Sequence, residues 1–180
     1  TFGAATSRYT FTISMWVKKT QNGSGQILWG SRNNDNFRFQ TYFDGSNKFN
    51  VLNIDGGNTN LHLQTTRVFR DTNAWYHLYV AVKSSESTSS DRCKIYVNGV
   101  RETALDTSTY QSTSNDMSMG SSDYTLNIGR YGGDSDYFSG LISHHHFIDG
   151  SIVAHTEFGS TDATTGEWKI NTSPTVSSYG

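Results

Sequence analysis

The sequence predicts an all-β fold in which two antiparallel sheets pack face to face as a jelly-roll sandwich. Three observations predict it. Apolar residues recur at every second position in many short runs, turn clusters of Gly, Asn, Asp and Ser separate those runs, and almost no segment reads as helix. The count comes to about twelve strands, enough for two sheets to bury each other's inner faces.

In chain order, Thr10 to Lys19 reads as a strand with Phe11, Ile13, Met15 and Val17 on one face and Thr12, Ser14 and Trp16 on the other. The turn Asn22-Gly23-Ser24-Gly25 leads to a short strand, Gln26 to Gly30, and then to a polar loop, Ser31 to Asn36. From Asn36 to Phe43 the alternation is clean: Phe37, Phe39, Thr41 and Phe43 point inward, Arg38, Gln40 and Tyr42 outward. Asp44-Gly45 then turns the chain into Lys48 to Ile54. Past Asp55-Gly56-Gly57-Asn58, Leu61, Leu63 and Thr65 mark one face of the next strand, with His62 and Gln64 on the other. These segments form a meander.

The predicted centre is the hairpin after Asp71-Thr72-Asn73-Ala74. Tyr76, Leu78, Val80 and Val82 share one face, and Trp75, His77, Tyr79 and Ala81 share the other, so the strand should be buried on both sides. Its partner carries Cys93, Ile95 and Val97 inward and closes on Asn98-Gly99, a pair suited to the positive φ angles of a type I′ turn. Thr103 to Asp123 shows no convincing pattern and is expected to fold over the sandwich as a long connection. Tyr124 to Arg130 and Tyr137 to Ile148 read as the last long strands. Ser151 to Phe158 suits a helical turn, and Trp168 is placed to anchor the tail.

Composition bounds the function. Charged residues make up 17% of the chain, below the roughly 25% of typical domains, and aromatics 13%. A net charge of -2 offers no footprint for a polyanion, so nucleic acid is not an expected partner. No apolar run approaches the roughly 20 residues that span a bilayer, and the start has no signal-peptide core, so no membrane insertion is expected. Cys93 is the single cysteine and alternates with core positions, which reads as a small buried hydrophobe in a protein folded in a reducing cytosol. One domain is expected over residues 1–170, with 171–180 as a tail or linker. The start at Thr1 reads as that of a fragment or processed product.

Several motifs together resemble one superfamily. Trp75-Tyr76-His77 with its β-branched run, Tyr96-Val97-Asn98-Gly99, Leu126-Asn127-Ile128-Gly129 and Phe138-Ser139-Gly140-Leu141-Ile142 resemble the signature of concanavalin A-like jelly rolls, which include laminin G-like and pentraxin-like domains. Val68-Phe69-Arg70-Asp71, Phe147-Ile148-Asp149-Gly150 and the stretch from Phe158 to Lys169 are similar to modules of tail-fibre and other virion structural proteins of marine tailed bacteriophages. The resemblance implies a virion structural module of a tail fibre or capsid appendage, displayed on the phage particle, made in the host cytoplasm and recognising host-surface carbohydrate. Its partners would be a host-surface glycan and other virion proteins. Phage fibres are commonly trimers, so the same resemblance implies a homotrimer. In this picture Trp75, His77, Tyr96 and Trp168 support the scaffold.

The site residues follow from chemistry. Sugar binding needs Asn and Asp groups beside an aromatic face. Asn33, Asn34, Tyr131, Asp134 and Tyr137 are the carbohydrate-binding candidates, because the two tyrosines flank an acidic Gly-rich loop. Tyr42 points outward near Asp44 and is a weaker one. Asp35, Asp134 and Asp136 are the candidate calcium ligands, since hard cations take oxygen donors from such loops; ordinary turn formation accounts for the same residues. His144-His145-His146 could offer two imidazoles to a metal at alternate positions, yet a third ligand is not apparent, so hydrogen-bonded structural histidines are expected there. Retaining glycosidases need two carboxylates about 5 Å apart, and the chain's four glutamates sit in no pattern that presents such a pair. No catalytic residue is assigned, and a non-enzymatic protein is expected. A glycan-degrading enzyme of the same superfamily and a laminin G-like cellular adhesion module are the alternatives.

Overall fold

The computed structural model describes residues 6–119, 123–132 and 135–176. Within them the chain forms β1 (Thr10–Lys19), β2 (Gln26–Asn34), β3 (Phe37–Phe43), β4 (Lys48–Asp55), β5 (Asn58–Val68), β6 (Tyr76–Lys83), β7 (Cys93–Val97), β8 (Val100–Arg101), β9 (Leu105–Thr109), β10 (Thr125–Ile128), β11 (Gly140–Asp149), β12 (Gly159–Thr161) and β13 (Trp168–Ile170). Ser89–Asp91 and His155–Glu157 are single 3₁₀ turns. One sheet has the order β11-β1-β6-β7-β8, the other β10-β2-β3-β4-β5-β9, and every pairing is antiparallel. The two-sheet sandwich predicted from the sequence is the observed fold.

Period-two alternation builds the core. Phe11, Ile13, Met15 and Val17 of β1, Leu78, Val80 and Val82 of β6, and Cys93, Ile95 and Val97 of β7 meet Trp29, Phe39, Phe43, Phe49, Val51, Leu61 and Leu63 of the facing sheet. Each such side chain contributes roughly 1.5–3 kcal/mol on full burial. Burial also pushes the Cys93 thiol well up, which suits the inert small hydrophobe expected there. The turn after β7 has φ of 48° at Asn98 and 76° at Gly99, as a type I′ turn requires.

Besides β2, which runs through Asn34 where a loop was expected from Ser31, three segments depart from the sequence reading. The stretch expected to lack a pattern contributes β9, an edge strand pairing with β5, and then sends Met117 and Met119 into the core, where Arg8 donates to both their carbonyls at 3.1–3.2 Å. Lys19 ends β1 fully buried. Its ammonium donates to Asn47 Oδ1 at 2.8 Å and to the Phe69 carbonyl at 3.1 Å and lies 4.6 Å from the Phe43 ring centroid. The third departure is in β11. Simple alternation would put Ile142 and Ile148 on one face, but the register against β1 shifts between Ser14 and Trp16, where His144 adopts φ of 45°. This bulge inverts the alternation, so Ile142 packs on the main core while Ile148 faces outward.

The outer face of the five-stranded sheet carries a second layer. Tyr79, Ala81 and Ile148 pack there against Phe158, with Val153 beside them, and the β12–β13 ribbon lies over this cluster. Trp168 anchors the ribbon. Its ring covers Gly99 and Gly159, where a Cβ would come within 2.4 and 2.6 Å of the indole. Its N–H donates to His77 Nδ1 at 3.0 Å, and His77 Nε2 lies 2.9 Å from Ser14 Oγ. Tyr96 stacks on His155 at 4.2 Å between centroids. His77 and Trp168 thus hold the second layer, with Trp168 anchoring the tail as expected and His77 stacked between Trp16 and Trp168.

Candidate functional site

Of the two sheets, the six-stranded one leaves a polar outer face. Alternation puts Arg38, Gln40 and Tyr42 of β3 on that face, and the register places Arg32, Gly30 and Ile27 beside them from β2 and Ile54, Leu52 and Asn50 from β4. His62 and Gln64 continue it on β5. On this side the strands need no second hydrophobic layer, so long polar side chains line up across the sheet.

Part of the face is saturated with internal hydrogen bonds. Gln64 and Asn50 both donate to Asp44 Oδ2, at 2.9 and 3.3 Å, and His62 Nε2 lies 3.0 Å from Asn50 Oδ1. Burial lowers the His62 pKa and raises that of Tyr42, whose ionisation the nearby Asp44 also opposes. These groups are held in place.

Toward β2 the pattern changes. The segment after β10 folds back as a narrow loop: Tyr131 N–H donates to the Ser135 carbonyl at 2.9 Å, and Phe138 N–H to the Gly129 carbonyl at 2.8 Å. Ile27 N–H donates to the Asp136 carbonyl at 2.9 Å, which ties the loop to the start of β2. The result is a cavity of about 280 Å³ lined by Ile27, Arg38, Gln40, Tyr42 and Leu52, with Tyr131 and Asp136 contributed by the loop. Arg38 Nε and Gln40 Oε1 are buried without a protein partner. A buried polar atom left unpaired costs about 1–3 kcal/mol, so a donor and an acceptor in one cavity are chemically poised for a ligand bearing both.

The rim joins two of the candidates, Tyr131 and Asp35, to Arg32. The Tyr131 hydroxyl donates to Asp35 Oδ1, Arg32 reaches the same oxygen through Nη2 at 3.0 Å, and the Arg32 guanidinium lies 5.0 Å from the Tyr131 ring centroid. The Tyr131 bond, and then Arg32, hold the Asp35 carboxyl below its usual range, while burial and Asp35 push the Tyr131 phenol up. The 33–36 turn and the 131–136 loop therefore meet at one edge.

The candidates do not all play the same part. Tyr131 and Asp136 line the cavity. Asn33 and Asn34 are exposed and build the turn, Asn34 Nδ2 donating to Asn33 Oδ1 at 3.1 Å and Asn34 Oδ1 accepting from Asn36 N–H at 2.9 Å. Tyr137 is exposed at the surface. Asp134 lies outside the described residues. Of the calcium candidates, Asp35 is engaged by Arg32 and Tyr131, and Asp136 Oδ2 accepts from Ser135 Oγ at 2.9 Å. Among the described residues, no three His, Cys, Asp or Glu side chains gather as a metal-ion site. Sequence reasoning missed Arg38 and Gln40 as site residues, although their outward alternation with Tyr42 was the signal that could have found them.

A laminin G-type family, described as the concanavalin A-like lectin/glucanases superfamily, matches residues 2–170. No curated protein matches the chain. Among solved structures it is similar to the native heptameric SAP-like pentraxin of Limulus polyphemus, at 14% identity over 86% of this chain and 70% of that one, with a TM-score of 0.57. It is also similar to domain 4 of the Geobacillus stearothermophilus arabinanase AbnA in complex with arabinotriose, at 17% identity over 85% and 65% of the two chains, with a TM-score of 0.55. A third similar structure is the Ruminococcus gnavus IT-sialidase CBM40 bound to α2,3-sialyllactose, at 15% identity over 86% and 81%, with a TM-score of 0.57. At these identities the likeness is one of fold.

Proposed function

Because the chain belongs to the concanavalin A-like lectin/glucanases superfamily, we propose that it is a non-catalytic carbohydrate-binding module whose ligand sits on the outer face of the six-stranded sheet. The observation that carries this reading is the pair of unpartnered buried atoms, Arg38 Nε and Gln40 Oε1, in a cavity flanked by Tyr42 and Tyr131. A sugar hydroxyl both donates and accepts, and a pyranose also has an apolar face that aromatic rings and Leu52 can cover. Two of the similar folds are solved with oligosaccharides, arabinotriose and α2,3-sialyllactose, which supports a glycan as the ligand class.

The test is binding of the purified domain to a panel of bacterial surface polysaccharides, in calcium and again in chelator. Saturable binding that drops at least about tenfold in an Arg38→Ala, Gln40→Ala double variant supports the site, since tenfold corresponds to about 1.4 kcal/mol. Unchanged binding in that variant would move the site elsewhere, and no binding to any glycan would remove the carbohydrate reading. Loss in chelator would bring an ion to the Asp136 loop.

We further propose, on the resemblance of the segments around Phe69, Phe147 and Phe158 to Lys169, that the module is displayed on a phage particle as part of a tail fibre or capsid appendage, as a homotrimer contacting other virion proteins. Antibody labelling of purified particles tests this. Particles without the antigen would end the virion reading while leaving the carbohydrate reading intact.

A further inference from the structure

A second cavity lies on the opposite side of the molecule, between the outer face of the five-stranded sheet and the C-terminal ribbon. It measures about 430 Å³ and is lined by Trp16, Trp75, Trp168, Ser143, Lys169 and Ile170. The topology explains why three indoles meet there. Trp16 on β1 is paired with His77 on one side and with Ser143 of β11 on the other, Trp75 immediately precedes β6, and Trp168 opens the ribbon strand laid across them.

Two of the three rings are fixed before any ligand arrives. Trp16 stacks on His77 at 5.2 Å with planes 23° apart, and Trp168 is held by its bond to His77 and by the two glycines beneath it. Ordering rotamer-rich side chains is a main cost of binding, and here that cost falls on folding instead. Trp75 is 39% exposed and forms the rim.

The polar inventory narrows the ligand. Trp16 is only 8% exposed, yet its indole N–H has no protein partner. Trp29 has an unpartnered N–H too, but it sits in the closed core, whereas Trp16 borders an open cavity. The ammonium of Lys169 is balanced by Asp162 at 2.6 Å, so the cavity places no excess charge on its contents. The ligand therefore needs a broad apolar face for the indoles, an acceptor for the Trp16 N–H, and no net charge. A hydrocarbon chain or a phenyl ring would cover the indoles but give that buried N–H no acceptor.

We propose that this three-tryptophan cleft is a second binding site, for a neutral hexopyranose stacked on the indoles. It shares no residue with the site on the six-stranded sheet and stands or falls independently of it. The module would then grip glycans on two opposite faces and could cross-link them.

The experiment is titration of the 15N-labelled domain with cellotriose, with triacetylchitotriose and with hexanol, following the tryptophan indole resonances. The expected result is a saturable shift of the Trp16 indole N–H with at least one of the two sugars. Trp75→Ala, which removes the exposed indole at the cleft's mouth, should weaken it at least about tenfold, or about 1.4 kcal/mol. Trp16→Phe, which keeps a ring but removes the donor, should weaken the remaining Trp75 and Trp168 shifts. The Trp29 resonance reports that each variant is folded. The Arg38→Ala, Gln40→Ala variant should keep the Trp16 shift, which separates this cleft from the other site. Shifts with hexanol alone, or with no probe, would overturn the proposal.

Discussion

Trp168 donates its indole N–H to His77 Nδ1 at 3.0 Å, and the two ring planes lie 15° apart. This one bond fixes the state of the histidine. With Nδ1 accepting, the ring hydrogen belongs on Nε2, where Ser14 Oγ receives it at 2.9 Å. Protonating His77 would set an N–H against the indole N–H in a buried site. Burial, with His155 and His146 adding repulsion, accordingly lowers the His77 pKa to about 4.

Stability should therefore fall in acid. The folded-state pKa of about 4 lies below the ordinary 6.5, so the unfolded chain binds more protons between those values. The stabilisation by neutral His77 is complete above about pH 6.5 and is lost as the pH falls toward 4, a change on the order of 3 kcal/mol. His145, lowered to about 4 by burial, should steepen the same fall. Urea titrations across this range should show the decline, and His77→Gln should be less stable at neutral pH with a shallower slope. An unchanged slope would mean that His77 is not the group responsible.

Docking of the ribbon depends on two missing side chains. Gly159→Ala would put a methyl group 2.6 Å from the Trp168 ring, and overpacking of this kind costs about 1–3 kcal/mol. The displaced indole should exchange its N–H hydrogen faster, while amides of β3 and β4 keep their protection. Equal loss in both places would show that the second layer and the sandwich unfold as one unit.

Lys19 should titrate apart from the other lysines. Burial lowers its pKa to about 8 although Asp44 pulls it upward, so a 13C-labelled Lys19 side chain should change shift near pH 8. Between about 8 and the ordinary 10.5 the unfolded chain holds more protons, and this group should make stability rise with pH. Lys19→Met tests its role as donor. Asn47 Oδ1 keeps its bond from Gly23 N–H at 3.1 Å, but the Phe69 carbonyl loses the ammonium, and the variant should lose the pH-dependent rise.

At the cavity on the six-stranded sheet, Tyr131→Phe and Tyr131→Ala should differ. The phenylalanine variant keeps the ring beside Arg32 and loses the bond to Asp35, whereas alanine loses both. Calorimetry with whichever glycan binds should show a small loss for the first and roughly tenfold weaker binding for the second. Equal losses would assign the effect to the Asp35 bond instead of the ring.

The alternating strands were legible because successive side chains point to opposite faces, so the apolar sets of β1, β3 and β5 recur at every second residue. Lys19 continues the inward set of β1, but nothing local announces that Asn47 and Phe69 will meet its ammonium from distant turns. The bulge at His144 was equally invisible: one extra residue inverts the alternation without changing composition. Tyr131, as a sugar-binding candidate, and Asp136, as a calcium candidate, were legible because aromatic and acidic residues bracket a turn, and both line the cavity on the six-stranded sheet. Arg38 and Gln40 were placed on the outward face, but that Arg38 Nε and Gln40 Oε1 lack partners, while Arg38 Nη1 donates to the Asp35 carbonyl, depends on what β2 and the neighbouring turns bring beside them. The three-tryptophan cleft joins residues from the beginning, middle and end of the chain, and no local pattern links them.

The position of β1 also governs how the chain can reach its fold. It lies between β6 and β11, so Phe11 pairs with Val82 on one side and with Asp149 on the other. During synthesis the first contact can form only after β6 has emerged, and the second only after β11. Closing such long loops before any reward from packing is slow, and sandwiches of this kind fold on the order of milliseconds to seconds. Until then β1, among the most apolar strands in the molecule, waits with an unpaired edge, so its protection in the nascent chain rests on what surrounds it.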